Sequence, residues 1–291
     1  MKEDKVDIVM WTKNGELFLP SVLKRIDKVV PSEIISNKIM VDDKSIDATV
    51  KIGMSYNWTV YPNPKGGVSS GANEALRRVR SKRFISLEQD LVMARDWWDK
   101  IPYLLEDEKV VAASGVRVPD KPVALRLIDE YANERYSREM KANPASRYGK
   151  TLDNTIYKTD LLRQIGGFPA LPINAGVDAA LVKRINDKGF SWKVDFNVKS
   201  THLRRDLADE LRHAYWYGAE YSVLSRIIEE KPNASASTFT LALFSPFRGL
   251  QIALNKTCWE IGLVYPLIRL ATFLGALTGS SRLQMHERFA E

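Results

Sequence analysis

The chain has 291 residues, 45% hydrophobic and 27% charged, with a formal net charge of +7. That length buries a sizeable core without covalent staples, and the single cysteine, Cys258, excludes an internal disulfide and suits a reducing compartment. Three scattered histidines give no zinc spacing, no basic and aromatic recognition motif points to nucleic acid, and the start MKEDKVDIVMW lacks the apolar run of a secretory leader.

In chain order, residues 5–10 predict a first strand and 17–29 a helix. KIMVD at 38–42 predicts a second strand, and residues 58–61 a short third. Gly66-Gly67 opens a loop, with Ser69 or Ser70 placed to cap a helix that runs to Val79. KRFISLEQDLVM at 82–93 carries a fourth strand, built on Phe84, Ile85 and Leu87, that stops at Glu88-Gln89-Asp90. Residues 109–114 predict a fifth strand, and the charged stretch 117–150 is partly helical. Turn-forming residues cluster around Gly166-Gly167-Phe168 and over 169–176. A helix over 178–188 stops at Gly189, a strand covers 191–196, and a long helix covers 206–229. Two apolar stretches follow, 239–254 and 261–277. Pro246 and Arg248 break the first, Pro266 and Arg269 the second, so neither is expected to be an unbroken span of roughly 20 apolar residues.

Alternating strands and helices predict an α/β domain on a mostly parallel sheet flanked by helices. Such sheets bind ligands at the carboxyl ends of their strands. Asp42-Asp43 and the Glu88/Asp90 pair both fall at such ends and are expected to line one crevice. Carboxylates at i and i+2 leaving a strand suit a divalent cation, Mg²⁺ or Mn²⁺. A solvated loop start is the plain alternative.

The neighbouring motifs carry a resemblance. VDDKSIDAT at 41–49 is similar to the VDDGSTDGT signature of family 2 glycosyltransferases, and ISLEQDLVM at 85–93 stands where that family has its strand-ending DXD motif. IVMWTKNGE at 8–16 resembles its first strand and xPTxNE turn. PKGGVSSGANEAL at 64–76, NTIYKTDLLRQIGGF at 154–168 and GVDAALVKRINDKGF at 176–190 resemble its next three blocks, in the same order. The resemblance implies a GT-A fold over residues 1–205, with 206–291 as a separate C-terminal helical region.

It also implies roles. Thr12, Asn14, Glu16, Asp42, Asp43, Gly67, Asn73, Glu88, Gln89, Asp90, Arg204 and Arg205 match positions on the nucleotide-sugar side. Asp42 matches the carboxylate that contacts the nucleoside. Glu88 and Asp90 match the metal side, with Asp90 expected nearest the ion, and His202 matches a position that contacts the metal or the diphosphate, with a plain exposed histidine as the alternative. Asp178 matches the general base of inverting members, and the plain alternative is a helix-capping aspartate. Arg204 and Arg205 suit bidentate phosphate contacts, or a solvated surface pair. Lys65 with Gly66-Gly67 could approach phosphates, or form a simple turn. Three departures stand out: Glu88 replaces the first DXD aspartate, Trp11 the first-turn proline, and Val177 one acid of the ED block.

The resemblance therefore implies an inverting, Mg²⁺- or Mn²⁺-dependent glycosyltransferase with a nucleotide-diphosphate-sugar donor. The tail is similar to that of membrane-associated members, which use polyprenyl-phosphate-linked acceptors. Arg248, Lys256, Arg269 and Arg282, with Trp259 and Tyr265, suit the headgroup region. The expected place is the cytoplasmic face of a membrane, peripheral or monotopic. Tyr131 and Tyr136 are candidates to stack on sugar rings. Alternatives are a polyprenyl-phosphate monosaccharide synthase, a non-catalytic binder of nucleotide sugar or membrane, and a tail that packs as core or forms a homo-oligomer interface.

Overall fold

The structure is a computed structural model that describes residues 5–204, 206–227 and 234–288. Its elements in order are β1 Val6–Thr12, α1 Leu19–Val29, β2 Ile35–Asp42, α2 Thr49–Ser55, β3 Thr59–Pro62, α3 Gly67–Arg78, β4 Arg83–Leu87, β5 Leu91–Val92, α4 Trp97–Lys100, β6 Val110–Pro119 and α5 Val123–Ala142. There follow β7 Thr155–Lys158, α6 Thr159–Gln164, α7 Val177–Asp187, β8 Ser191–His202, α8 Leu207–Ile227, α9 Ala234–Leu243, α10 Ser245–Lys256 and α11 Ile261–Arg288.

The chain divides into two compact units. The first is Met1–Val118, Asn133–Pro172 and Val177–Leu203; the second is Pro119–Ala132, Ile173–Gly176 and Arg204–Glu291. Within the first, the described strands form one eight-stranded sheet in the order β3-β2-β1-β4-β7-β6-β8-β5. β1 pairs in parallel with β2 and β4, as strand and helix alternation requires. β7 runs antiparallel between β4 and β6, which makes the sheet mixed. The sequence reading did not place β7, a four-residue strand too short to show a period.

Side chains alternate across the sheet with the period of two that a strand imposes. Ile8 and Met10 pack with Leu19, Leu23 and Ile26 of α1 on one face, while Val9 packs with Ala72, Ala75 and Val182 on the other. Buried Asp7 is fully satisfied by Asn37, Ser81 and the amide of Arg80. α3 begins at Gly67, two or three residues before the expected serine caps, because positive φ at Gly66 and Gly67 turns the chain directly into the helix.

In the second unit, Ala124, Leu125, Ile252, Ala253, Ile261 and Val264 form a core. α8 and α11 approach through small residues: a Cβ on Gly218 would lie 1.9 Å from the Thr272 carbonyl oxygen, and one on Gly275 the same distance from that of Tyr215. Pro266 and Arg269 do not interrupt α11. Ile261–Gly279 is a 19-residue stretch of mean hydropathy 1.6, long and apolar enough to cross a membrane by length and composition.

Candidate functional site

β1 lies between β2 and β4, with Thr12 opposite Asp42 and Met10 opposite Leu87, so three strands end at one edge. Asp42 is buried there. It accepts hydrogen bonds from Thr12 Oγ1 (3.2 Å), the Ser45 amide (2.9 Å) and Ser45 Oγ (2.5 Å). Asp43 accepts from the Gly67 amide at 3.2 Å and pairs with Lys13 Nζ at 3.4 Å. Asn14, at φ 49°, accepts from the Ile46 amide, and Glu16 accepts from the Ala48 amide. These bonds tie the first-strand turn to the loop after β2. The two expected carboxylate groups therefore do flank one strand end.

Gln89 bonds both backbone groups of Lys13. Asn73 bonds both backbone groups of Phe168 from within α3, which clamps the Gly166-Gly167 turn. Trp11, at the departed proline position, meets Phe168 edge-on at 6.1 Å. Lys65 is exposed.

β5 pairs antiparallel with β8, placing Leu91 opposite His202, and the Leu203 amide donates to the Asp90 carbonyl at 2.8 Å. That ladder, rather than nearness in sequence, brings His202 to the strand-ending carboxylates. Only 6% of His202 is exposed, and its Nε2 lies 3.3 Å from Asp90 Oδ2 and 3.9 Å from Glu88 Oε2. One ligand atom from each of the three falls within 4.8 Å of the others, so the group can hold a metal ion. Two carboxylate oxygens with one imidazole suit a divalent cation such as Mn²⁺.

Two further residues join this edge that sequence reasoning did not single out. Arg117, near the end of β6, places Nη1 3.3 Å from Glu88 Oε2 and 3.5 Å from Asp153 Oδ1. Asp153 is buried on the turn before β7. The available signal was a lone arginine in an apolar strand and an Asp-Asn pair ahead of TIY, both too common to weigh alone.

Asp178 lies in the first turn of α7 and accepts from the Ala179 amide at 2.8 Å. Burial pushes its carboxyl above the ordinary aspartate range. The Ala179 amide and the charge of Arg117 pull the other way, and Asp153 adds to the rise.

Tyr136 stacks on Tyr148 at 4.7 Å, and Tyr131 faces Arg248 at 5.1 Å. In the second unit Arg204 pairs with Glu210 at 3.1 Å, and its amide donates to Asp120. Arg205 lies outside the described residues.

The sequence model of glycosyl transferase family 2 matches residues 7–166. Among solved structures, the chain is similar to the mannosyltransferase PcManGT from Pyrobaculum calidifontis in complex with GDP-Man and Mn²⁺. That likeness has a TM-score of 0.63 and 16% identity, over 95% of this chain and 87% of the other. It is also similar to glucosyl-3-phosphoglycerate synthase from Mycobacterium tuberculosis, in complex with Mn²⁺, UDP and glucosyl-3-phosphoglycerate. There the TM-score is 0.52 and the identity 14%, over 77% and 80% of the two chains. At these identities the likeness establishes the fold. None of the curated proteins matches the sequence.

Proposed function

This chain belongs to glycosyl transferase family 2, and we propose that it is an inverting transferase that moves a sugar from a nucleotide-diphosphate donor to a lipid-linked acceptor. One observation carries the reading: Glu88, Asp90 and His202 converge on one point beside the strand end where Asp42 is held. Structures of this fold with GDP-Man or UDP, each with Mn²⁺, support it.

A divalent cation bound by Glu88, Asp90 and His202 would neutralise charge on the departing diphosphate. Asp42, held rigid by Thr12 and Ser45, faces the nucleoside, and Asp43 with the Gly67 turn completes that side. Asp178 accepts the proton of the acceptor hydroxyl as its oxygen bonds to the anomeric carbon and the bond to the diphosphate breaks. A carboxyl raised by burial binds that proton more tightly than an ordinary aspartate would.

The lipid-linked acceptor rests on the C-terminal helices. Phe239, Phe244, Phe247, Leu250, Leu254, Trp259 and Leu263 are exposed there, more apolar surface than a soluble face carries. Residues 1–205 are then the catalytic domain and 206–291 the membrane-associated part, docked on the cytoplasmic face where nucleotide sugars reside. A polyprenyl phosphate as direct acceptor fits the same surface.

The deciding experiment offers GDP-mannose and UDP-glucose, each with Mn²⁺ or Mg²⁺ and a polyprenyl-phosphate extract, to wild type, Asp90→Ala and Asp178→Asn. Transfer by wild type, lost in both variants, supports the reading. Donor binding without turnover under any condition would instead make the chain a binder.

A further inference from the structure

α7 begins at Val177, so Asp178 stands in its first turn, directly after Gly176-Val177. The residues just ahead of that helix, Ile173–Gly176, belong to the same compact unit as α8. Their hold on α8 is specific. Glu220 accepts through one carboxylate oxygen, Oε2, from the Asn174 amide at 2.9 Å and from the Ala175 amide. Gly176, at φ 78°, rests on Leu224, one turn further along α8: a Cβ there would lie 2.1 Å from Leu224 Cδ2. Ala175 and Leu224 are both buried.

Chain geometry carries this grip to the carboxylate. Only Gly176 and Val177 separate Ala175 from Asp178. Each planar peptide leaves two soft dihedrals per residue, so fixing two successive amides on one oxygen fixes the direction in which the chain enters α7. The bond that Asp178 accepts from the Ala179 amide lies within the same turn. It moves with the helix and cannot place it. The bonds to Glu220 reach the turn from outside, and charge on the acceptor makes them stronger than neutral pairs. α8 is a stiff carrier for them, because Gly218 and Tyr215 seat its backbone against Thr272 and Gly275 of α11.

We infer that Glu220 is a positioning residue for the base Asp178, acting through the Ile173–Gly176 turn, so that the C-terminal helices support catalysis as well as carrying the apolar surface. The inference rests on the transferase reading above. A reacting group misplaced by about 1 Å loses about 10²-fold in rate, and outright loss of the base sets a ceiling of about 10²- to 10⁴-fold.

The full chain is assayed with Mn²⁺, the polyprenyl-phosphate extract and radiolabelled GDP-mannose or UDP-glucose, whichever it turns over. Wild type is compared with Glu220→Ala, Glu220→Gln, Asp178→Asn and the double variant Glu220→Ala/Asp178→Asn. In Glu220→Ala we expect kcat to fall about 10- to 100-fold while KM for the donor stays within about twofold. Glu220→Gln keeps an accepting oxygen and should restore kcat to within about fivefold of wild type. In the Asp178→Asn background, Glu220→Ala should change kcat by less than about twofold, because the group it positions is gone. A merely structural loss would persist there.

Equal losses in the two backgrounds overturn the inference, as does an unchanged kcat in Glu220→Ala. Where the double variant is too slow to read, a loss that falls on KM, or that glutamine does not restore, overturns it. Should Glu220→Ala not fold, Glu220→Asp, which withdraws the oxygen by one methylene, enters the same cycle under the same criteria. Asp178→Asn as active as wild type defeats the base assignment of the proposed function. Wild type that turns over no donor defeats the transferase reading, and either result takes this inference with it. Activity lost in Asp178→Asn but intact in Glu220→Ala strikes this inference alone.

Discussion

The side chain of Gln89 hydrogen bonds both backbone groups of Lys13: its Oε1 accepts from the amide and its Nε2 donates to the carbonyl, each at 2.9 Å. The middle residue of Glu88-Gln89-Asp90 therefore acts as a substitute strand partner for the end of β1. It fixes the turn on which the two flanking carboxylates stand. Gly15 allows this approach, since a Cβ there would meet Gln89 Oε1 at 2.5 Å.

Gln89→Ala should cost about 1–2 kcal/mol of stability, the net worth of two partly exposed hydrogen bonds. It should also weaken Mn²⁺ binding, because Glu88 and Asp90 lose their fixed spacing. Gln89→Glu should behave similarly, as a carboxylate cannot donate to the Lys13 carbonyl. Thermal melts with and without Mn²⁺ read both effects.

Asp178→Asn should reduce transfer about 10²- to 10⁴-fold, the usual contribution of a positioned base. In wild type, the rate should fall as pH drops through the raised Asp178 value, so the acid limb lies above that of an ordinary aspartate. Stability runs the other way. The folded state holds this proton more tightly than the unfolded chain, so the group's contribution is lost as pH rises from the ordinary aspartate value through the folded one. Asp178→Asn should thus be more stable than wild type at neutral pH, measured by denaturant unfolding.

Lys150 is buried, its Nζ donates to the Pro144 carbonyl, and burial lowers it from 10.5 to about 8. Charged in the unfolded chain and disfavoured in the fold, it costs about 3 kcal/mol near neutral pH. Between pH 8 and 10.5 the unfolded chain binds more protons, so stability rises with pH and the cost disappears. Lys150→Met should stabilise by about 2 kcal/mol at pH 7 after loss of the hydrogen bond, with a shrinking advantage toward pH 10. Unfolding midpoints across that range test it.

Phe247 and Leu263 are each 75% exposed. Phe247→Ser with Leu263→Ser should leave the unfolding midpoint nearly unchanged and cut binding to anionic vesicles at least about tenfold, since each side chain contributes about 1.5–3 kcal/mol on burial. Co-sedimentation at two salt concentrations measures it. Unaltered vesicle binding would point instead to packing between copies.

Gly275→Val should cost about 3 kcal/mol or more, because its Cβ would strike the Tyr215 carbonyl oxygen, and backbone cannot yield as a side chain can. Denaturant unfolding of the full chain gives the value.

The alternation of strands and helices, the carboxylates at strand ends and the family that they mark are legible along the chain before it folds. These are local properties: a run of apolar residues of period two or 3.6, closed by a turn, needs no partner to be legible. Other features arise only from long-range pairing. β7 is only four residues long, and its place between β4 and β6 follows from pairing, which no local period encodes. His202 reaches Asp90 because β5 and β8 share a ladder across more than a hundred residues of chain. Arg117 and Asp153 meet only because β6 and the turn before β7 end at the same edge, where burial strips the water that would otherwise satisfy the Asp153 carboxylate.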